Sequence, residues 1–347
     1  MTNMLPHTKI RCYFRVLTDT TLTEFPGSTL RSLLITGLRN VCCHDRCLTC
    51  EHCLLNHHCI FPYLTRHQTS TGEDTVQPYL ISCPEVASFY KKGDTLFFDM
   101  VLVGEKANTF FPYIAYSLSE WDKMRLDNFQ YLLQNRINHT YGKIDVRQIN
   151  APHGRLNLIK IEQINSGGQP LSLFSSHTNK ITPPRLTHFV FNSLQTVASP
   201  NATIRFISPC RMERKISDPR TGIKGKKKLI LPELFSLEIF VQSLKTRYMA
   251  LMAQFAADAS DSSVGHPLET IKLYVDDTTR LVTNNLKSIN VLRVHPKSGK
   301  WKHCDGFTGT ICLTNLHPYT MQLMEFAAIM HLGKFATYGY GEIEITQ

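Results

Sequence analysis

The chain has 347 residues, a length that favours two domains. Its 38 lysines and arginines exceed its 28 aspartates and glutamates, and the net charge of +10 favours a polyanionic partner. An apolar content of 42% excludes a disordered chain. No apolar run approaches the roughly 18 residues of a membrane span, and the first residues lack the apolar core of a signal peptide. We therefore expect a cytoplasmic protein without a membrane partner.

The first half of the chain predicts the order strand, helix, strand, strand, helix, strand. Alternation predicts strands at 9–18, 79–82, 95–103 and 155–163. A first helix follows Gly27, where Leu30, Leu34 and Leu38 recur at helical spacing, and a second helix spans 110–124. This order is that of a ferredoxin-like unit, which we place at residues 1–165.

A cysteine cluster interrupts this unit at residues 42–62. Cys50 and Cys53 are separated by two residues, Cys59 follows after five more, and Cys43 lies seven positions before Cys50. Four thiolates suit a closed tetrahedral zinc site, with Cys47 as an alternative ligand to Cys43. An iron–sulfur cluster and the absence of a metal are the alternatives. A closed site predicts structural zinc and argues against metal catalysis.

Residues 166–200, rich in Ser, Gly, Thr and Pro, predict a linker, and the strand–helix order then repeats over 201–347. Strands are expected at 203–207, 229–231, 288–294 and 307–313, with a long helix starting at Pro232. The predicted fold class is therefore α+β, with tandem ferredoxin-like domains and a small cysteine-rich metal-binding insertion.

A basic segment at 211–228 lies between two predicted strands of the second half. Charge runs are usually solvated loops, but in a basic protein this one favours contact with nucleic acid. A second basic cluster contains Trp301, which can stack on a base. The candidate RNA-binding residues in these two clusters are Arg211, Arg214, Lys215, Lys226, Lys227, Lys228 and Trp301.

The chain ends in a helix that starts near Pro318, a glycine loop at residues 333–341 and a final strand. Glycines allow a backbone to approach a ligand closely, although many glycine loops are only tight turns. Lysine and tyrosine side chains are interspersed with these glycines, which favours contact with phosphates or bases. The candidate RNA-binding residues here are Gly333, Tyr338, Gly339, Tyr340 and Gly341.

Four motifs together resemble the RAMP-type CRISPR repeat-RNA processing endoribonucleases. They are GSTLR at 27–31, GFTG at 306–309, HLGK at 331–334 and GYG at 339–341. The resemblance covers the second half well, and the first half only through the Gly27 helix opening and the cysteine insertion. It implies metal-independent cleavage of CRISPR repeat RNA, in which the 2′-hydroxyl attacks the adjacent phosphate.

Such a reaction requires a base, an acid and a cation. His331 is the first candidate for base or acid, with Lys334 as the phosphate stabiliser. Equally, His331 can simply complement the dipole of the preceding helix. Other members of the family carry the catalytic histidine at or just after the end of the first helix, where this chain has His44. No catalytic metal is implied.

Three functions remain open from the sequence. The first is the endoribonuclease, with repeat RNA and other CRISPR-associated subunits as partners. The second is a RAMP subunit that binds RNA without cleaving it. The third is a zinc-containing nucleic-acid-binding protein unrelated to CRISPR, against which the glycine loop and the tandem ferredoxin order argue.

Overall fold

A computed structural model describes residues 4–43, 50–65, 76–83, 87–124, 126, 153–164, 168–191, 201–215, 227–256, 279–294 and 301–346. The strands are β1 (Met4–Thr21), β2 (Tyr79–Ser82), β3 (Phe89–Tyr90), β4 (Thr95–Val103), β5 (His153–Gln163), β6 (Leu171–Ser175), β7 (Thr187–Val190), β8 (Asn201–Cys210), β9 (Glu213–Lys215), β10 (Lys227–Leu229), β11 (Arg280–Ile289), β12 (Leu292–Val294), β13 (Trp301–His303), β14 (Gly306–Thr314) and β15 (Ile343–Thr346). The helices are α1 (Gly27–Cys42), α2 (Ile60–Thr65), α3 (Glu105–Thr109), α4 (Phe111–Ser119), α5 (Leu237–Phe255) and α6 (Pro318–Met330). No helix in these ranges is long and apolar enough to cross a membrane.

The N-terminal sheet has the order β2-β4-β1-β5-β6, and its first four strands have the ferredoxin-like arrangement. In β1, Ile10, Cys12 and Phe14 are fully buried, while Arg11 and Tyr13 alternate with them on the other face. The buried face packs in one core with the apolar sides of α1 and α4. Within the described part of this domain, no helix packs in the same way on the other face of the sheet.

The C-terminal sheet has the order β11-β14-β8-β15, with α5 and α6 as its two helices. This order also matches the ferredoxin-like unit, so the predicted tandem fold is confirmed. Two small hairpins, β9–β10 and β12–β13, extend from it. The first of these lies within the basic segment.

The structure differs from the predicted elements in several places, of which three change the description of the fold. Strands β6 and β7 lie in the predicted linker and pair with β5 and β1 of the N-terminal sheet. The strand expected at 288–294 is instead the end of β11 followed by β12. The long helix begins at Leu237, because Pro232–Leu234 forms a short 3-10 turn and Ser236 caps the helix through its side chain.

The two halves share apolar packing. Leu5, Leu80, Val101 and Val103 from the N-terminal sheet belong to the same buried cluster as α5 and α6. These side chains come from strands β1, β2 and β4. The C-terminal helices therefore cover one end of the N-terminal sheet and fix the position of the glycine loop that follows α6.

Candidate nucleic-acid interface

The glycine loop closes tightly onto the backbone of its own chain. Gly333, Gly339 and Gly341 all have positive φ, a conformation that favours glycine. A Cβ atom at Gly341 would overlap the carbonyl oxygen of Leu332, and one at Gly333 would overlap that of Arg211. The close approach that the sequence suggested toward a ligand is therefore made, at these two positions, toward other parts of the protein.

The same loop contacts the start of α1. A Cβ atom at Gly27 would overlap the carbonyl oxygen of Tyr338. The guanidinium of Arg31, one turn further along α1, lies 4.5 Å from the centroid of the Tyr338 ring. The GSTLR segment therefore docks directly on the glycine loop, which explains why both motifs are built around glycine.

His331 lies inside the protein. Its side chain is 2% exposed, and its Nδ1 lies 3.0 Å from the carbonyl oxygen of Tyr340. Burial lowers the pKa of His331 to about 3, so the ring is neutral at physiological pH. A buried ring is poorly placed to exchange protons with RNA, and this position favours the structural interpretation. The catalytic assignment of His331 stays a prediction.

Lys334 is the exposed cation of the glycine loop. Its backbone N–H donates to the carbonyl oxygen of Arg211, 2.8 Å away, in an isolated bridge between the loop and the end of β8. The Arg211 side chain is half-buried and donates to Glu213 at 2.8 Å and to the carbonyl of Asp305 at 3.0 Å. The bridge therefore holds Lys334 at the surface. It also places Arg211 beside Lys334, with the Arg211 guanidinium already hydrogen-bonded within the protein.

Comparison with known families locates this loop within a known domain. Residues 204–343 match the CRISPR-associated endoribonuclease Cas6, and residues 5–186 match a second family, AF_1859_N, described as an N-terminal domain. The chain belongs to the AF_1859_N family through its first half and carries a Cas6 domain in its second half. The matched ranges meet near the boundary between the two sheets. No match was found among curated proteins.

Solved structures share the Cas6 fold across nearly the whole chain. A partial Cas6-RT-Cas1–Cas2 complex is 11% identical over 99% of this chain and 46% of its own, with a TM-score of 0.52. A Cas6 product complex is 14% identical over 98% of this chain and 99% of its own, also with a TM-score of 0.52. This chain spans less than half of the first of these chains. At such identities the likeness concerns the fold.

The remaining RNA-binding candidates differ in exposure, and the structure describes the side chains of only some of them. In the β9–β10 hairpin, Arg214 and Lys228 are exposed. Lys215 and Lys227 are strand residues of the same hairpin, and Trp301 begins β13, but their side chains lie outside the described part of the chain. Lys226 and His44 lie outside it entirely. In the glycine loop Tyr340 is buried, which removes it as a stacking surface in this arrangement.

The structure describes only part of the cysteine cluster. Cys43, Cys50, Cys53 and Cys59 are half-buried cysteines. Burial is the main cause that raises the pKa of the Cys59 thiol, and the charges of the other three raise it further. Among the residues that the structure describes, no group of three or more potential ligands is arranged to hold a metal ion. Cys47, the alternative ligand, lies outside the described residues. The predicted zinc is thus unsupported by the structure and stays a prediction.

One partly buried residue at the site had no functional signal in the sequence. Arg247 lies mid-helix in α5, among apolar residues at helical spacing. Its guanidinium donates to the carbonyl oxygens of Met330, at 2.8 Å, and His331, at 3.2 Å. Burial lowers the pKa of Arg247 to about 10, which still leaves it charged at neutral pH. This cation satisfies the end of α6 directly before the glycine loop.

Proposed function

We propose that this protein cleaves precursor CRISPR RNA within the repeat, without a catalytic metal. The observation that most supports this is the Cas6 match over residues 204–343, which includes the whole glycine loop and its exposed Lys334. The chain as a whole is basic, which suits an RNA substrate. The function therefore rests on a family domain and on a cation at its surface.

In the proposed reaction the RNA 2′-hydroxyl attacks the adjacent phosphorus. A new P–O2′ bond forms and the P–O5′ bond breaks, leaving a 2′,3′-cyclic phosphate and a 5′-hydroxyl. A base accepts the proton of the 2′-hydroxyl, and an acid protonates the departing O5′. We assign Lys334 to the negative charge that develops on the phosphate oxygens.

Two histidines, His331 and His44, are candidates for the base or acid. His331 would have to leave its buried contact with Tyr340 to reach RNA. His44 follows α1, a helix of 16 residues whose rise makes it about 24 Å long. Gly27, at the start of α1, contacts the glycine loop. His44 itself lies outside the described residues, so variants of both histidines decide between them.

Cleavage of a labelled repeat RNA in EDTA tests the function. We expect cyclic-phosphate products without added metal, and a roughly 100-fold slower reaction for Lys334→Ala. Lys287→Ala, at an exposed lysine of β11, is the matched control. The variants His44→Ala and His331→Ala then assign the base. Wild-type protein that leaves the RNA intact would contradict the proposed activity.

The buried His331 favours a second candidate function, RNA binding without cleavage. A RAMP subunit of this kind would retain the basic surface and lack an accessible base. In the EDTA assay it would give a stable, uncleaved complex with the repeat RNA. The two candidates are thus separated by the product of one experiment.

We also propose that repeat RNA and other CRISPR-associated subunits are the partners of this chain. The supporting observation is the likeness to a Cas6-RT-Cas1–Cas2 complex and to a Cas6 product complex. Size-exclusion chromatography of the native complex, with identification of bound RNA and protein, tests this. Repeat-derived RNA in the recovered complex is the expected result.

Structural zinc remains a proposal from the cysteine spacing. We expect about one zinc per chain in purified protein, and its loss in a Cys50→Ser variant. Cys312→Ser, at a half-buried thiol of β14 in the other half, is the control. Less than about half an equivalent of zinc or iron in the wild type would count against a metal site.

A further inference from the structure

The face of the N-terminal sheet opposite to α1 and α4 carries two aromatic rings side by side. Tyr13 in β1 and Phe97 in β4 are register partners, and their ring centroids lie 5.9 Å apart. Both side chains are partly exposed, whereas their neighbours Cys12, Phe14 and Phe98 are buried in the core. The two central strands of the sheet therefore each present one ring on the same surface.

Cations flank both rings. Lys160, the register partner of Tyr13 in β5, places its Nζ 4.3 Å from the centroid of the Tyr13 ring. The Cζ of Arg11 lies 4.3 Å from the centroid of the Phe97 ring. Arg15, two residues beyond Tyr13 on the same face of β1, is exposed. Flat rings and positive charges thus alternate over three neighbouring strands.

A buried carboxylate holds this arrangement in place. Asp99 is 1% exposed, and it accepts hydrogen bonds from Arg11 Nε at 2.7 Å and from a second Arg11 nitrogen at 3.1 Å. These two hydrogen bonds fix the plane of the Arg11 guanidinium beside Phe97. Side-chain order of this kind reduces the entropy that a ligand would have to offset on binding.

Buried side chains connect this face of the sheet to the glycine loop. Arg11, Asp99 and Ser82 are cross-strand neighbours in β1, β4 and β2. Ser82 Oγ donates to Glu342 Oε1 at 2.6 Å, and Glu342 directly follows Gly341. A polynucleotide lying across the sheet would therefore approach the loop that carries Lys334.

Single exposed aromatic residues are ordinary, and one cation–π pair per 70–80 residues is expected in any protein. Two such pairs in adjacent positions on one sheet face are a stronger signal. Arg11 is paired with Asp99, and Lys160 with Glu162 at 2.7 Å. Arg15 adds an exposed positive charge that a purely apolar partner would leave uncompensated. Unpaired nucleotides satisfy both features, since their bases stack on rings and guanidinium planes while their phosphates contact the cations.

We propose that Tyr13 and Phe97, with Arg11, Arg15 and Lys160, form a stacking face for two unpaired bases of the RNA. The ligand class rests on the proposed function, because RNA is the polyanion that this family processes. The stacking face binds single-stranded nucleotides next to the segment held at the glycine loop. It contributes affinity for RNA and takes no part in bond cleavage.

Binding of a fluorescent, unpaired ten-nucleotide RNA tests the stacking face. We expect Tyr13→Leu and Phe97→Leu each to weaken binding roughly tenfold. Tyr13→Phe keeps the ring and should bind as the wild type does. Tyr116→Leu, at an exposed tyrosine of α4, is the matched control. A ten-nucleotide strand without bases should bind equally to all four variants, because only stacking is removed.

Two further measurements distinguish a variant that fails to fold from a variant that folds but binds RNA normally. Thermal unfolding of each variant shows whether it folds, and ultraviolet cross-linking of wild-type protein to the RNA needs no variant at all. Cross-links at the peptides containing Tyr13 or Phe97 support the proposal. Equal binding by folded Leu variants, with cross-links only elsewhere, overturns the stacking face and leaves repeat cleavage untouched. A wild type that neither binds nor cleaves repeat RNA overturns the proposed function itself.

Discussion

At the scale of single residues, the glycines of the C-terminal loop are explained by contacts within the protein. We expect Gly341→Ala to destabilise the protein by about 3 kcal/mol or more, because a methyl group there meets both a positive φ and the Leu332 carbonyl. Gly93→Ala is the matched control, since φ is also positive but no atom lies within 4 Å of the added carbon. It should lose only about 1 kcal/mol. Chemical denaturation measures both, and equal losses would show that the overlap at Gly341 is relieved at little cost.

The buried His331 predicts how the stability of the protein changes at acid pH. Its pKa is lowered to about 3 in the folded protein, against 6.5 for an unperturbed histidine. Between these values the unfolded chain binds a proton that the folded chain does not, so the free energy of unfolding falls as the pH falls. The largest slope expected from this one group is about 1.4 kcal/mol per pH unit.

The variant His331→Asn isolates that slope. Asn tolerates positive φ better than most residues and does not titrate, so it should flatten the dependence of stability on pH between 6 and 4. His177→Asn, at an exposed histidine, is the control. Denaturant unfolding at several pH values provides the comparison. An unchanged slope in His331→Asn would mean that the ring is not kept neutral by burial.

At the scale of elements, the end of α6 depends on a side chain from α5. Arg247 donates to the last carbonyls of α6, which have no partner within that helix. We expect Arg247→Met to destabilise the protein by about 2 kcal/mol, because these buried acceptors lose their donor. Arg247→Lys should lose less stability than Arg247→Met but remain less stable than the wild type. A lysine ammonium keeps the charge but lacks the planar pair of donors that a guanidinium offers. Lys245→Met, two residues away on α5, is the control in thermal unfolding.

The sequence predicted most elements but not all of their boundaries. Strands such as β1 and β4 combine an apolar face with a polar one, and their alternation is visible in the sequence. Strand β11 lies at a sheet edge and is largely exposed, so it has little apolar alternation to detect. Strands β6 and β7 are short, and their pairing with distant partners is not a local property. They were therefore included in the predicted linker.

The site shows the same division between local and distant information. Spacing and motif identified the glycine loop, which contacts α1, and Lys334, which bridges to Arg211 at the end of β8. The burial of His331 depends on Tyr340 and on Arg247, which is 84 positions away in the sequence. No pattern around His331 encodes that packing. The sequence alone therefore left its catalytic and structural interpretations equally open.

At the scale of the whole molecule, the two halves meet through a buried carboxyl group. Glu342, 8% exposed, accepts the hydrogen bond from Ser82 across the junction between the sheets. Burial raises the pKa of Glu342 above 4.5, so the folded protein holds that proton more tightly than the unfolded chain does. The free energy of unfolding then decreases as the pH rises from the unfolded to the folded pKa. Ionised Glu342 therefore destabilises the junction at neutral pH.

The variant Glu342→Gln should remove this destabilisation and keep the contacts of the junction. Its amide oxygen can accept the same hydrogen bond from Ser82 without carrying a charge. We therefore expect higher stability than the wild type at pH 8, and a difference that shrinks toward pH 4. Glu344→Gln, two residues along β15, is the matched control, because that side chain is 51% exposed and paired with Arg205 at the surface. Its effect should stay within about 0.5 kcal/mol. A Glu342→Gln protein that is less stable at pH 8 would show that attraction to Lys9, and not burial, dominates at the junction.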